Sequence, residues 1–455
     1  MHKALEAAAS QFDVEINVKH IHLGKYISFH DEVDINDISI ALDSALRDLP
    51  GNSSEIQEFS CITHSTGGPV VRYWLDKYYG SANLANAPLK HLVMLAPANH
   101  GSALGVLGKE KVGRIKAWFN GIEPGQKVLD WLSLGSEGAW ELNQKYLSYS
   151  YAKDGFYPFV LIGQGIDKAF YDFLNSYLVE SGSDGVVRVS GANMNYQFIS
   201  LEQTDAVLRD KPMTTSLVPT IKSTSRRPNV TPLGVFSAYS HSGDKMGIMR
   251  SPGVSKKEPA HPVVREILKC LAVKTAADYK QRGKELQQLT ETEQKQIPTG
   301  KSAIISQYAM LVVHIHDQYG NKFGKDDFEV LLLAGKNYSP KLLPSGFLLD
   351  RQLNGSTNNL VYYVDAIKMQ EINEKQDGLF GIQILARPTQ GFSKYNIGEF
   401  RSDGLDIGKV FSPNETTYVD ITMKRIVDKA TFKFRNSSQA HENFKNEKPS
   451  GSPAN

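Results

Sequence analysis

One serine sits in a stretch of small residues, Thr63-His64-Ser65-Thr66-Gly67-Gly68, between an apolar run (Phe59 to Ile62) and a helix-like stretch from Val70. A chain that turns this sharply from strand to helix has no room for bulk two residues before or after the serine. Thr63 and Gly67 meet that demand. Such a turn lifts the Ser65 hydroxyl above the sheet and aims the backbone N–H of Thr66 at a forming oxyanion. The chemistry that suits it is nucleophilic attack, for which a serine hydroxyl needs a base. His64, held beside the serine, reads as structural. His100 reads equally well as lining the site or as holding its own loop.

The elements that must position this turn alternate. A helix end (1–12) precedes a β-branched alternating run, Val14 to Leu23, expected as a strand, and a helix over Asp37 to Leu46. Strands are expected at Glu58 to Ile62, Leu89 to Leu95 and Tyr157 to Gly163, with helices at Val70 to Tyr79 and Val263 to Val273. Strands alternating with helices imply an α/β domain with a parallel sheet. Residues 101–155 interrupt the rhythm and hold Trp118, Trp131 and Trp140, so they read as an inserted cap. Lys274 to Gln296 is polar without a wide apolar face, which suggests a connecting helix. From Ser302 short strand-like runs separated by turn residues take over: Ala309 to His316, Phe328 to Leu333, Leu360 to Val364, Gly381 to Leu385, Tyr418 to Met423 and Ala430 to Phe434. They imply an all-β sandwich over 301–435. The polar tail 436–455 reads as disordered.

Composition excludes several classes. Across 455 residues, Lys+Arg 51 against Asp+Glu 49 lacks the basic excess of a nucleic-acid binder. Two cysteines, Cys61 and Cys270, can form neither a disulfide framework nor a four-cysteine zinc site. His20 with His22 and His314 with His316 alternate on strand-like runs, but no carboxylate or cysteine completes either set, so no metal is expected. The chain has neither a secretory signal nor an apolar run long enough to span a bilayer, which implies a cytoplasmic protein or non-classical export.

Around these residues the chain resembles the α/β-hydrolase superfamily, and within it the lipase-like serine esterases. Four segments in the right order carry the resemblance: the Ser65 turn, Leu95-Ala96-Pro97-Ala98-Asn99-His100-Gly101-Ser102, Ser183-Asp184-Gly185-Val186-Val187, and Ser240-His241-Ser242-Gly243. It covers residues 1–275 and implies Ser65 as nucleophile, His241 as base and Asp184 as the acid that orients it. Asp172, Asp205 and Asp210 are competing acids in less suitable settings. The resemblance implies an ester or lipid substrate and no cofactor. It also implies a loop supplying a second oxyanion donor. The 64 residues before Ser65 hold no counterpart of that loop or of the first strands, so the chain reads as an α/β-hydrolase sheet lacking its first strands.

Two classes of function stay open. The first is a serine carboxylic-ester hydrolase of lipase or phospholipase type working through an acyl-enzyme; acyl transfer would use the same triad. The second is a catalytically degenerate hydrolase body that serves in binding or adhesion. Lys109, Lys111, Arg114 and Lys116 beside Trp118 and Phe119 either settle on an anionic lipid surface or merely solvate a packed cap helix. With 276–300 as spacer, the sandwich is expected to be separable: a chain ending near Gly300 should keep its activity on soluble esters.

Overall fold

The computed structural model describes residues 1–28, 30–103, 125–166, 180–220, 225–254, 260–295, 307–375, 377–388, 393–403 and 411–427. The basic cluster Lys109 to Phe119, Asp172, Ala430 to Phe434 and the tail lie outside the described residues.

Strands β1 (Phe59–His64), β2 (Leu89–Leu95) and β3 (Tyr157–Gly163) are followed by a long hairpin, β4 (Tyr196–Leu208) and β5 (Lys211–Pro219), and then by β6 (Leu233–Phe236). The sheet that carries the serine is parallel throughout, in the order β1-β2-β3-β6. Its middle strands are buried on both faces: every residue of β3 is buried, and Leu92, Val93, Met94 and Leu95 of β2 lie in the core. Among the described residues β1 has a ladder partner on one side only. Helices α1 (His2–Ala8), α2 (Ile35–Arg47) and α3 (Gly67–Tyr78) precede β2. A reciprocal capping box starts α2: Asp34 accepts from the Asp37 N–H at 2.9 Å and Asp37 from the Asp34 N–H at 3.0 Å.

Val14 to Leu23 joins no ladder. Its alternation does report one-sided burial, because Ile16, Ile21 and Leu23 pack on the core while Glu15, Asn17 and Lys19 face solvent. The pattern records which side is wet; a strand additionally needs a neighbour with free backbone groups.

Helices α4 (Gln126–Leu132) and α5 (Glu137–Tyr146), within the expected cap, pack on α3: the Trp131 indole donates to the Tyr73 hydroxyl at 3.3 Å and the Tyr146 hydroxyl to the Arg72 carbonyl at 2.9 Å. After the short α6 (Val189–Ala192) and α7 (Pro262–Leu271) comes α8 (Ala276–Lys295). The last was expected as a spacer and instead lies against β6. Thr290 accepts from the Val235 N–H and donates to the Leu233 carbonyl, both at 3.0 Å. Glu293 accepts from the Ser237 N–H at 3.0 Å, and Leu286 is fully buried. A polar helix serves here because it satisfies the open backbone groups of an edge strand.

The remaining strands are β7 (Tyr308–Asp317), β8 (Phe328–Ala334), β9 (Leu348–Leu353), β10 (Leu360–Asp365), β11 (Phe380–Ala386), β12 (Ser393–Lys394), β13 (Ile397–Arg401), β14 (Thr416–Met423) and β15 (Ile426–Val427), with α9 (Ala366–Lys375) after β10. Apart from β12 and β15, which pair with each other, they do not form a sheet of their own. A nine-stranded sheet runs β8-β11-β13-β5-β4-β14-β7-β10-β9, with the β4–β5 hairpin in its middle. β4 pairs in parallel with β14 from Tyr196↔Thr416 to Glu202↔Thr422, and β5 with β13. The expectation of a self-contained sandwich over 301–435 is corrected accordingly: without β4 and β5 the sheet falls into two pieces. One face carries its own core, including Leu311, Val313, Ile384 and Ile421. On the other face Tyr196, Phe198, Met310, Val312 and Tyr418 meet Leu134 and Trp140. No helix among the described residues is long and apolar enough to cross a membrane.

Candidate active site

Ser65 occupies the turn between β1 and α3 with φ 53°, a left-handed conformation that is costly for a non-glycine residue. Its N–H donates to the Leu95 carbonyl at 3.0 Å, which ties the turn to β2. The demand for small neighbours is geometric. A Cβ at Gly67 would sit 3.1 Å from the Thr63 Cβ, and one at Gly68 would sit 2.8 Å from the Pro97 Cβ. Thr66 is the N-cap of α3, so its backbone N–H lies at the positive end of that helix.

Asp184 and His241 come together in complete burial. The His241 Nδ1–H donates to Asp184 Oδ2 at 2.8 Å, and both side chains are 0% exposed. Oδ1 of Asp184 accepts from the N–H groups of Val186 at 3.0 Å and Val187 at 2.8 Å, which fixes the carboxylate plane. The His241 N–H also donates to the Asp184 carbonyl at 2.9 Å, so the two loops are joined by backbone as well as side chain. Since a carboxylate only accepts, Nδ1 of His241 carries the proton and Nε2 is left as the basic nitrogen.

His64 links this pair to the serine turn. Its Nε2–H donates to the His241 carbonyl at 3.0 Å, and the two rings lie 4.6 Å apart. Burial, reinforced by the neighbouring His241, pushes the His64 pKa down to about 3. His64 therefore remains a neutral brace at physiological pH.

His100 is engaged elsewhere. Its Nε2–H donates to the Asn193 carbonyl at 2.7 Å, while Nδ1 accepts from the Tyr418 hydroxyl at 2.6 Å and from Asn143 at 3.1 Å. Burial holds its pKa down to about 3 as well. With both nitrogens taken by Asn193 on the loop after α6 and Tyr418 on β14, His100 joins the loop after β2 to the nine-stranded sheet. Of the competing acids, Asp205 pairs with Lys424 and Asp210 with Arg401, both remote from the serine turn. Cys61 and Cys270 are free, and burial raises their thiols to about 12 and about 11.

The sequence reading missed the support of the acid turn. Arg188, 1% exposed, grips Glu180 with two hydrogen bonds of 2.7 Å and reaches Asp350 on β9 at 2.6 Å. Its guanidinium lies over the Tyr363 ring of β10, 4.1 Å from the centroid. The Tyr363 hydroxyl donates to the Ser181 carbonyl at 2.9 Å. Gly182, at φ 77°, lies so close that a Cβ there would meet the Tyr308 ring at 2.2 Å. The turn bearing Asp184 thus rests on β7, β9 and β10. The signal available beforehand was only an arginine four residues after the acid.

One histidine pair has a carboxylate beside it that is distant in sequence: Asp420 of β14 lies next to His314 and His316 of β7.

The parallel sheet, the strand-to-helix serine turn and the buried acid–histidine pair define an α/β-hydrolase of the lipase-like kind. No protein-family model matches the chain, and no curated protein sequence does. Solved structures do, among them phospholipase PlaB from Legionella pneumophila, alone and in complex with thio-NAD. Each is 40% identical with a TM-score of 0.82, covering 96% of this chain and 92% of that one. The chain belongs to the family of this phospholipase and is a hydrolase of the lipase and esterase type. A metagenomic carboxyl esterase also matches over 35% of this chain at 21% identity, with a TM-score of 0.25, too slight to carry weight.

Proposed function

We propose that the chain hydrolyses the carboxylic esters of phospholipids through an acyl-enzyme on Ser65. The observation that carries this reading is the buried Asp184–His241 pair, tied through the His64 side chain to the turn in which Ser65 is held at positive φ. His241 Nε2 takes the Ser65 proton as Oγ attacks the ester carbonyl carbon. Asp184 stabilises the imidazolium, and the Thr66 N–H receives the developing oxyanion. The same proton then goes to the departing alcohol, and a water activated by His241 releases the fatty acid. A phospholipid is favoured over a simple ester because the relative that spans nearly the whole chain is a phospholipase. Val207, Met213 and Val218, exposed on the β4–β5 hairpin beside Arg209, support contact with a lipid surface.

Ser65→Ala should lower turnover of p-nitrophenyl butyrate and of phosphatidylcholine vesicles at least ~10³-fold with the fold intact, and a fluorophosphonate should label the wild type only. A folded, unlabelled wild type would instead support a binding role for a degenerate hydrolase body. The thio-NAD held by the relative leads us to propose a dinucleotide ligand as well, to be tested by thermal shift with NAD.

A further inference from the structure

Residues at i and i+2 of a strand project from the same face, so His314 and His316 of β7 present two imidazoles side by side. The parallel ladder sets Asp420 directly opposite His314, and Thr422 opposite His316. One ligand atom from each of His314, His316 and Asp420 lies within 4.8 Å of the others. Oδ1 of Asp420 is 2.8 Å from His314 Nδ1 and 3.2 Å from His316 Nε2.

The outer contacts fix how these atoms are presented. His316 Nδ1 lies 2.8 Å from the Asp317 carbonyl, which can only accept. Nδ1 therefore carries a proton, and Nε2 is the nitrogen turned to the carboxylate, 3.2 Å away. That contact is matched by a proton on Nε2 or by a cation that takes the proton's place. A backbone carbonyl orienting the far nitrogen is also the usual outer support of a metal-binding histidine. His314 is braced by the Trp140 ring, with centroids 5.3 Å apart, and its Nε2 is buried without a hydrogen-bond partner. The three side chains are 20%, 19% and 32% exposed, so the cluster opens to solvent at its rim while its ring edges are held.

We propose that His314, His316 and Asp420 form a binding site for a borderline divalent transition ion of the zinc class, with water completing the coordination. Two imidazoles and one carboxylate match zinc, cobalt or nickel, and a lone carboxylate is too few oxygens for calcium. The bound ion staples β7 to β14, the strand whose other edge pairs with β4.

The test uses the full chain, stripped with chelator and titrated with Zn2+ and Co2+ at pH 7.5. The expected result is one tight equivalent, a visible Co2+ band of tetrahedral intensity, and a higher melting temperature with Zn2+. His316→Gln and Asp420→Asn, each shown to melt as the wild type without metal, should weaken that equivalent at least about 10–100-fold and abolish the band. His20→Ala should leave both intact, since His20 belongs to a separate cluster with His2 and His22. Absence of a tight equivalent, or one that survives in His316→Gln or disappears in His20→Ala, overturns the proposal.

Discussion

Replacing Arg188 with alanine tests whether the nine-stranded sheet holds Asp184, the proposed acid of the site. The side chain is 1% exposed and serves two carboxylates, Glu180 at 22% and Asp350 at 29% exposure, besides stacking on Tyr363. Breaking a buried ion pair costs about 3–5 kcal/mol; since both acids here can rehydrate, the lower end, about 3 kcal/mol, is expected. The effect on chemistry arises separately. Arg188 follows Asp184 by four residues, and the Asp184 carboxylate is fixed by the N–H groups of Val186 and Val187 in between. A shift of about 1 Å in a catalytic group can cost about 10²-fold. The kcat on p-nitrophenyl butyrate should therefore fall about 10–100-fold with KM nearly unchanged, and the urea midpoint should fall with it. Asp350→Asn keeps an acceptor and loses only a partly exposed charge, so it should cost under about 1 kcal/mol and leave kcat within about threefold. Tyr363→Phe, which removes the hydroxyl bound to the Ser181 carbonyl, offers a milder probe worth about 1 kcal/mol should the alanine variant not fold. A folded Arg188→Ala enzyme with wild-type kcat would refute the idea that this anchor positions Asp184.

A chain ending near Gly300 lacks β13 and β14 and leaves β5 and β4 with open ladders, so it should be insoluble or inactive on soluble esters and vesicles alike; a soluble, active fragment would restore the expectation of separability. Tyr418→Phe removes the donor to His100 and the acceptor for Asn143, both buried, and should lower the urea midpoint by the equivalent of about 1–3 kcal/mol; no change would mean that the network reorganises freely. Burial alone would raise the Glu266 carboxyl, but Arg282 and Arg265 hold it below its ordinary value, so its stabilisation is present above about pH 4.3 and is lost as pH falls through the depressed value. Glu266→Gln should therefore destabilise at pH 7 and much less at pH 3; an equal penalty at both would refute the linkage.

The serine turn was legible because its constraint is local. Backbone curvature alone forbids bulk at Thr63 and Gly67, and a buried parallel strand leaves an apolar run such as Val93-Met94-Leu95. Asp184 and His241 were readable only through resemblance, since nothing in the spacing of two loop residues says that their side chains meet. Val14 to Leu23 misled because alternation reports a wet and a dry side, not a partner. The α8 helix misled in the opposite sense: its function lies in Thr290 and Glu293, polar groups that satisfy an edge strand, and such positions look like ordinary surface.

The unity of the two sheets was the least legible feature, and the reason lies in chain order. β4 and β5 fall between Asp184 and His241, so the segment that connects the proposed acid to the proposed base also enters the middle of the nine-stranded sheet. Their own residues are half polar, and Gln203 is buried because it donates to Thr215 and to the Asn396 carbonyl. Only strands far along the chain turn this hairpin into a sheet centre, as the pairing of Tyr196 with Thr416 illustrates. Closing loops of that length carries an entropic cost that must be met before the acid and base loops are held in register. On the proposed roles of Ser65, Asp184 and His241, assembly of the site is coupled to docking of the C-terminal strands, because the turn bearing Asp184 rests on β7, β9 and β10.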